Sequence, residues 1–253
     1  MGRRWLLVVL LLTLPVNVHA SETDTKQVWN DIAANALEFG KQEKFDRAKT
    51  MLDEFSNAFP GDQSSELSTT ELRVILNTHD RALKAVTAMD KAVDQRIQSL
   101  TEFRLAVDAL VAEDQPMWKQ TDDQILPLIT EMSTAIEHGD VDVYNASKDR
   151  FIGTYSVIRP AMAIDLSPET QQRLDSHIAF IERYGSDRNS ELSGQLQTMK
   201  DDFKQAYHPS SSEESSLLWL IVSIGGIIIA TLIYVTYRKY RGEKEGLKRK
   251  QAD

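Results

Sequence analysis

The sequence predicts an all-α protein in which a helical bundle outside the cytoplasm is followed by one C-terminal transmembrane helix. Three observations support this fold class. Apolar residues recur every three or four positions through most of residues 21–208, as they do on the buried face of a helix. No run of the chain alternates between apolar and polar residues in the manner of a strand. Two apolar runs without charged residues, 5–16 and 217–237, stand apart from this pattern.

Residues 1–20 are a predicted secretory signal peptide. Arg3 and Arg4 supply its positive start, and the 12 largely apolar residues that follow rise only about 18 Å as a helix, short of the ~30 Å hydrocarbon core of a membrane. Small side chains before the end of this segment predict cleavage between Ala20 and Ser21. An uncleaved membrane anchor is the alternative interpretation.

Residues 217–237 are a predicted transmembrane helix. They number 21 and rise about 31 Å as a helix, which matches the hydrocarbon thickness. The basic tail at 238–253 places the C-terminus in the cytoplasm by the positive-inside rule, so a single-pass protein of the cell membrane with its N-terminal domain outside is expected. Residues 209–216 form a polar tether before the span. Gly226 and Ala230 form a pair of small residues that allows weak self-association of spans.

The outer domain, residues 21–208, opens with a predicted helical hairpin. Its helices are expected at 28–39 and 45–59, where aromatic and aliphatic residues share one side. Residues 41–60 resemble the second half of a tetratricopeptide unit, in which an aromatic residue and an alanine pack the hairpin and a proline closes it. Glu43 occupies the position where that unit has glycine. Since the sequence holds no second copy, we expect a single tetratricopeptide-like hairpin within a larger bundle.

The next helix begins at a capping box. Ser68 and Glu71 have the spacing at which each side chain accepts a hydrogen bond from the backbone amide of the other residue. One apolar stripe follows, and a second stripe begins at Val93. Because neither proline nor glycine interrupts residues 62–115, the sequence allows one long helix or two helices with a break near residues 89–91.

Further helices are predicted before the tether, with prolines and glycines at their ends. The expected segments are 116–138 with a kink or join at Pro127 and a stop at Gly139, 143–158 ended by Arg159 and Pro160, 168–184 begun by a Ser167 N-cap, and 192–207.

Composition excludes several classes of function. Residues 21–216 carry 20 basic against 35 acidic side chains, a balance that argues against binding to nucleic acid. The chain has no cysteine, which excludes a thiolate nucleophile and a cysteine-ligated metal. Its histidines lack a zinc-binding spacing, and His79 is expected to be a hydrogen-bonded core residue. We therefore expect no catalytic residue, no metal and no cofactor.

Arg104 is the most unusual polar residue, because it lies between Leu100 and Val107 on an apolar stripe. That position predicts a buried guanidinium, which requires polar partners. Asp108 is one turn further along, although Arg before Asp is the weaker order for a helical pair. The candidate buried polar cluster is Arg104, Asp108, Arg159, Asp165 and Asp175. A structural role is favoured over a ligand site, so Arg104→Leu is expected to destabilise the domain by roughly 3–5 kcal/mol.

Three runs of sequence are similar to one known family. They are FDRAKTMLDEF at 45–55, FRLAVDALVAEDQPMW at 103–118 and YSVIRPAMAIDLSPETQQRLDS at 155–176. In these runs, and in the order of signal peptide, helical domain, span and basic tail, the chain resembles the YpjB family of sporulation proteins of endospore-forming bacteria. The resemblance implies a role linked to sporulation, and it implies no functional residues.

These features predict a non-enzymatic, membrane-anchored accessory protein linked to sporulation, which acts through protein–protein contacts of its outer helical domain. Its expected partners are the membrane and an unidentified protein. The alternative is a ligand-sensing ectodomain, which must signal through a partner because the sixteen residues after Tyr237 hold no domain. A cell-wall-active enzyme is the third and weakest hypothesis.

Overall fold

A computed structural model describes residues 20–59, 66–112, 114–184 and 190–209, together with Thr231 and Tyr234. The chain divides into two compact units, Met1–Tyr207 and His208–Asp253. Nearly all described residues belong to the first unit, which contains almost all of the predicted outer domain.

The predicted membrane segments fall largely outside the described residues. Residues 1–19 lie outside them, as do Gly226, Ala230 and most of the predicted span, whereas Ala20 and Ser21 begin the first described helix. Within the described part of the chain, no helix has both the length and the apolar composition needed to cross a membrane. The signal peptide, the span and the membrane location therefore stay predictions.

Eight α-helices and one short 3₁₀ helix make up the described segments, which contain no strand. The helices are α1 Ala20–Lys41, α2 Phe45–Ala58, α3 Thr69–Thr87, α4 Val93–Val111, a 3₁₀ helix Met117–Thr121, α5 Asp122–His138, α6 Val141–Asp165, α7 Pro168–Tyr184 and α8 Ser190–Tyr207. The all-α class is confirmed. The α1–α2 hairpin is present, while its tetratricopeptide character stays a prediction.

The predicted start signals of α3 and α7 are confirmed. The Ser68 amide donates to Glu71 Oε2 at 2.6 Å, and the Glu71 amide donates to Ser68 Oγ at 3.2 Å, which is a complete capping box. The Ser167 hydroxyl oxygen accepts the Thr170 amide at 3.2 Å. Each cap satisfies backbone donors that the first turn of a helix leaves free.

Residues 69–111 form two helices. The backbone leaves helical geometry at Ala88, and α4 starts only at Val93. The Arg96 guanidinium donates to the Ala88 carbonyl and therefore satisfies one of the acceptors at the end of α3. The break allowed by the sequence near residues 89–91 is thus the one that occurs.

The prediction that Arg159 and Pro160 end a helix is wrong. α6 continues through both residues to Asp165, although proline lacks the amide that would bond to a carbonyl one turn earlier. The continuation buries Ala161 and Met162 in the core. Apolar burial stabilises by about 25 cal/mol per Å², so burying these two residues offsets a lost backbone hydrogen bond.

The helix expected from residue 116 begins later than predicted. Residues Met117–Thr121 form a 3₁₀ turn, and α5 starts at Asp122 and passes through Pro127 without ending. Its end at Gly139 is as predicted. The φ of Gly139 is +71°, in the left-handed region that favours glycine at the end of a helix.

Two clusters of buried apolar residues stabilise the first unit, and α4 contributes to both. The first cluster lies among α1, α2, α3 and α4, and its larger members are Trp29, Leu52, Phe55, Ile75 and Phe103. The second cluster lies among α4 to α8, and its larger members are Ile129, Tyr144, Phe151, Leu196 and Phe203. Because α4 contacts α1, α3 and α6, it joins the two halves of the unit.

The close packing of α1 on α4 depends on Gly40. A β-carbon added at this position would overlap Leu100 Cδ1, a fully buried side chain of α4. Any larger residue at position 40 would therefore displace Leu100 or separate the two helices.

Candidate functional site

Arg104 connects α4 to α1. Its side chain is 11% exposed, and its Nη1 donates to Asn30 Oδ1 at 2.7 Å and lies 3.4 Å from Asp108 Oδ1. The second oxygen of Asp108 accepts the Met117 amide at 2.6 Å. This group therefore ties two helices together and fixes the chain where it enters the 3₁₀ helix.

Asp165 holds the same 3₁₀ helix against the end of α6, one residue beyond the Met117 amide that Asp108 accepts. Its Oδ2 accepts Trp118 Nε1 at 3.0 Å and lies 3.4 Å from Lys119 Nζ. The Trp118 side chain is fully buried, so its indole N–H requires an acceptor of this kind.

Arg159 and Asp175 form a separate group between α6 and α7. The guanidinium donates from Nε to Asp175 Oδ1 and from Nη2 to Oδ2, both at 2.7 Å. The Tyr155 hydroxyl donates to Oδ1 at 2.7 Å. Gln171 Nε2 donates to the Tyr155 oxygen at 3.0 Å and to Asp175 Oδ1 at 3.2 Å. One carboxylate thus accepts hydrogen bonds from three side chains on two helices.

These hydrogen bonds determine the ionisation of the group. Burial by itself raises the pKa of Asp175, but the hydrogen bonds from Arg159, Tyr155 and Gln171, with the charge of Arg159, hold that pKa below its usual value. Burial raises the pKa of Tyr155, and the bond to Asp175 raises it further. An ionised Asp175 beside a protonated Tyr155 is the state that a structural network requires.

The five predicted polar positions therefore do not meet in one place. Arg104 and Asp108 share one contact, Arg159 and Asp175 share another, and Asp165 bonds to the 3₁₀ helix. The Arg104–Asp108 contact lies within α4, and the links to other elements run from Arg104 to Asn30 of α1, from Asp108 to Met117 and from Arg159 of α6 to Asp175 of α7. These contacts therefore serve to hold elements of the fold together, and they do not form a single binding site.

His79 is hydrogen-bonded, as predicted, but it is half-buried and packs on the first cluster rather than inside the core. Its Nε2 lies 2.8 Å from the Leu52 carbonyl oxygen, and its ring packs against those of Phe55 and Phe103 at 5.7 and 5.4 Å between centroids. Among the described residues, no three His, Asp or Glu side chains are placed to hold a metal ion.

Glu102 is a buried carboxylate that the sequence interpretation missed. It lies on α4, and its Oε2 is 2.9 Å from Arg81 Nη2 of α3. Burial raises the pKa of Glu102, and the Arg81 charge opposes this shift. The sequence does contain a signal for this burial, because α4 carries two apolar stripes, one with Phe103 and one with Leu105. Glu102 lies between the two stripes and therefore has little access to water.

A groove of about 710 Å³ lies on α6 between α4 and α5, and is called the α4–α6 groove below. α4 and α5 both pack along α6 but contact each other very little. One apolar residue from each helix forms the floor of the groove: Ile97 and Val157 are half-buried, and Leu128 is buried. A second groove of about 680 Å³ adjoins it and shares Pro127 and Glu131 with it.

The charged residues of the α4–α6 groove are mainly acidic. Asp94, Asp123 and Glu131 are exposed along it, and Arg150 is the basic residue that accompanies them. Arg150 Nη1 lies 3.6 Å from Glu131 Oε2. The groove therefore has an apolar floor and an acidic edge, a combination that suits an amphipathic partner with positive charge.

Two residues that disfavour helices also line this groove. Pro127 has no amide hydrogen, so the Asp123 carbonyl cannot accept the usual bond from one turn later. Gly153 lies inside α6, where glycine is less stable than alanine by about 0.5–1 kcal/mol. A β-carbon added at Gly153 would meet no heavy atom of the described residues within 4 Å. Internal packing therefore does not require this glycine.

Comparison with known proteins places these features in a family. The family model described as "Sporulation protein YpjB (SpoYpjB)" matches residues 27–250, which include every helix from α2 to α8 and most of α1. The chain belongs to the YpjB family of sporulation proteins. The resemblance inferred from the three sequence runs is thereby confirmed.

A curated YpjB relative supports the assignment over almost the whole chain. The "Uncharacterized protein YpjB" of Bacillus subtilis (strain 168) is 25% identical over 252 residues, which cover 96% of this chain and 96% of the relative. No solved structure matches the chain at a significant level. The α4–α6 groove is thus a feature of a YpjB-family chain that was visible only in the fold.

Proposed function

We propose that this YpjB-family protein is a non-enzymatic, membrane-anchored accessory protein of sporulation, which acts by binding another protein in the α4–α6 groove. The family assignment supports the link to sporulation. The rest of the proposal concerns how the chain acts, and it is supported by the groove and by the sequence of the termini.

The open groove carries the proposal. Three helices present a largely buried apolar floor edged by exposed charged side chains, and the groove is open to solvent. Exposed apolar surface surrounded by polar residues is typical of sites where proteins bind one another. By contrast, the polar residues predicted from the sequence are engaged with each other: the exposed Arg159 with the partly buried Asp175, and the largely buried Arg104 with Asp108.

The anchor is proposed from the sequence. Residues 1–20 have the composition of a signal peptide, and residues 217–237 have the length and composition of a membrane span followed by a basic tail. This arrangement would hold the acidic helical domain at the outer face of the membrane, where it meets its partner by diffusion in two dimensions.

The first experiment blocks the groove and measures sporulation. Gly153→Trp places a large ring in the groove at a position with free space around the β-carbon, and Gly194→Trp does the same on α8 away from it. In a sporulating host that carries only this copy, we expect Gly153→Trp to lower the yield of heat-resistant spores severalfold and Gly194→Trp to leave it unchanged. Equal yields for both variants, with both proteins present at parental level, would contradict the proposal.

A photo-crosslinking amino acid provides the second experiment. At Gln124, on the edge of the groove, it should yield a discrete protein adduct in sporulating cells, while at Glu54, an exposed residue of α2, it should not. Adducts of equal yield at both positions would indicate non-specific contact and count against the groove.

A ligand-sensing role is the second candidate, favoured by the size of the groove. Small-molecule sites in proteins usually have volumes of about 300–1,000 Å³, and the α4–α6 groove falls in this range. A sensor predicts that a small molecule from sporulating cells raises the melting temperature of the protein by mass action. The openness of the groove favours a protein partner instead, because small-molecule sites enclose most of their ligand.

A further inference from the structure

We propose that the partner segment in the α4–α6 groove is a basic amphipathic helix. This inference rests on the proposed function, since it names the kind of partner that the same groove accepts. Three observations on the described residues carry it: the shape of the groove, the charge at its edge and the glycine on its wall.

The shape matches a helix. Packed helices lie about 8–10 Å apart, and α4 and α5 are both packed on α6 with little contact between them. A further helix laid between α4 and α5 would touch all three. The apolar side chains of Ile97, Leu128 and Val157 would then contact its apolar face. Recognition of an amphipathic helix in an apolar groove is a common mode of protein binding.

The charge selects a basic partner. Asp94 and Asp123 are exposed at the edge of the groove, and neither carboxylate forms an ion pair with another described residue. Glu131 is already paired with Arg150. The two unpaired carboxylates therefore attract Lys or Arg from a partner and repel an acidic one. Because Pro127 has no amide hydrogen, the Asp123 carbonyl also lacks the donor that a helix normally supplies one turn later.

Gly153 allows close approach. It disfavours the helix that contains it, and the surrounding residues leave space where its side chain would be. Small residues at a helix surface let a second helix pack closely. Gly153 thus marks the point where the partner lies nearest to the α6 backbone, and a methyl group there should separate the two helices.

The test uses the full chain in micelles of a neutral detergent and two labelled peptides. One peptide is an amphipathic helix of leucine and lysine, about 14 residues or ~21 Å long. The other has glutamate at every lysine position. Fluorescence anisotropy measures binding, with empty micelles subtracted. We expect the lysine peptide to bind at least tenfold more tightly than its acidic twin, and its binding to weaken as salt is added.

Matched variants locate the site. Asp94→Asn with Asp123→Asn should weaken lysine-peptide binding at least tenfold, whereas Glu54→Gln with Glu169→Gln, which removes as much charge elsewhere, should not. Gly153→Ala should raise the melting temperature and yet weaken binding severalfold. Gly194→Ala, a helical glycine with equally free surroundings, should raise the melting temperature and leave binding unchanged.

Three outcomes would overturn the inference: equal binding of both peptides, equal effects of the groove variants and their controls, or tight binding by the Gly153→Ala protein. The outcomes separate this inference from the proposed function. If the peptide fails but Gly153→Trp still lowers spore yield, the groove binds a partner of other chemistry. If the peptide binds as expected but spore yield is unaffected, the specificity is correct and the role in sporulation is wrong.

Discussion

The two halves of the first unit bury aromatic side chains in different ways. Among α1 to α4 the rings contact one another directly: Trp29 and Phe59 lie 4.9 Å apart, and Phe55 and Phe103 also lie 4.9 Å apart. Among α5 to α8 and the 3₁₀ helix, rings also contact one another, with 5.5 Å between the centroids of Phe151 and Phe203, but buried tyrosine and tryptophan side chains there also bond to other side chains. The Tyr207 hydroxyl, for example, lies 2.9 Å from Thr121 Oγ1.

This difference follows from the residue types. Phenylalanine is stabilised by burial alone, whereas buried tyrosine and tryptophan also require hydrogen bonds. In the first half the buried Trp29 Nε1 donates to the Ala58 backbone carbonyl at 3.2 Å, whereas in the second half aromatic polar atoms bond to side chains of other elements, as Tyr155 of α6 does to Asp175 of α7. The α4–α6 groove lies where the two halves meet, because α4 belongs to both clusters.

The largest expected effects come from removing one ring in each half. Phe103→Ala and Phe203→Ala each delete a fully buried side chain and should lower the free energy of unfolding by about 3–5 kcal/mol. Because α4 joins the clusters, both variants should still unfold in a single transition. Denaturant melts followed by circular dichroism and by tryptophan fluorescence measure this. Separate transitions for the two probes would mean that the halves fold independently.

Arg104→Leu tests the polar group on α4, the helix that joins the two halves. We expect a loss of about 2–3 kcal/mol, less than for a fully buried pair, because Asp108 keeps its bond from the Met117 amide. Lys84→Leu is the control. Lys84 pairs with Asp80 at 2.6 Å, but the two side chains are 73% and 56% exposed, so its loss should be below about 0.5 kcal/mol. Equal losses for both variants would show that Arg104 is no buried anchor.

The helices were predictable because their signals are local. The Ser68–Glu71 capping box, the Gly139 stop and the apolar stripes depend on neighbours within a few residues. The passage of α6 through Pro160 was not predictable, because it depends on the core that Met162 reaches after the helix has continued. Tertiary packing there overrides a local preference.

The candidate site was less predictable than the fold. The spacing around Arg104 indicated a position of low exposure, but its partner Asn30 is 74 residues away and is brought near only when α1 packs on α4. The α4–α6 groove depends on the distances between three helices, which cannot be read from any local stretch of sequence. The helix-disfavouring residues Pro127 and Gly153 are its local signs in the sequence.

A pH comparison tests whether two carboxylates, the partly buried Asp175 and the buried Glu102, act on stability in opposite directions. Asp175, in the second half, has a lowered pKa, so its contribution to stability is full above about pH 4 and is lost as the pH falls through that lower value. Asp175→Asn should therefore cost about 1–2 kcal/mol at pH 7 and progressively less below pH 4. Urea melts at a series of pH values measure the difference in free energy of unfolding between Asp175→Asn and the parent protein.

Glu102, on α4, should show the reverse sign. Burial raises its pKa, so the folded state favours the neutral form, and stability is lost as the pH rises through the raised value. Glu102→Gln should thus match the parent near pH 4 and equal or exceed it by up to about 1 kcal/mol at pH 7, despite losing the ion pair with Arg81. A variant less stable than the parent at pH 7 would mean that this ion pair outweighs the burial.

The smallest effects concern one turn in each half. Glu43, between α1 and α2, has a φ of +57°, in the left-handed region where a non-glycine residue costs about 1 kcal/mol. Glu43→Gly removes that strain but adds conformational freedom to the unfolded chain, so the free energy of unfolding should rise by about 0.5 kcal/mol.

Gly139, between α5 and α6, has a φ of +71°. Gly139→Ala should lower the free energy of unfolding by about 1 kcal/mol, because alanine is strained in this left-handed conformation. Opposite shifts in melting temperature are therefore expected, since no side chain crowds Gly139 and backbone strain alone separates the two variants. A loss of stability in Glu43→Gly would instead mean that the Glu43 side chain contributes more than its backbone strain costs.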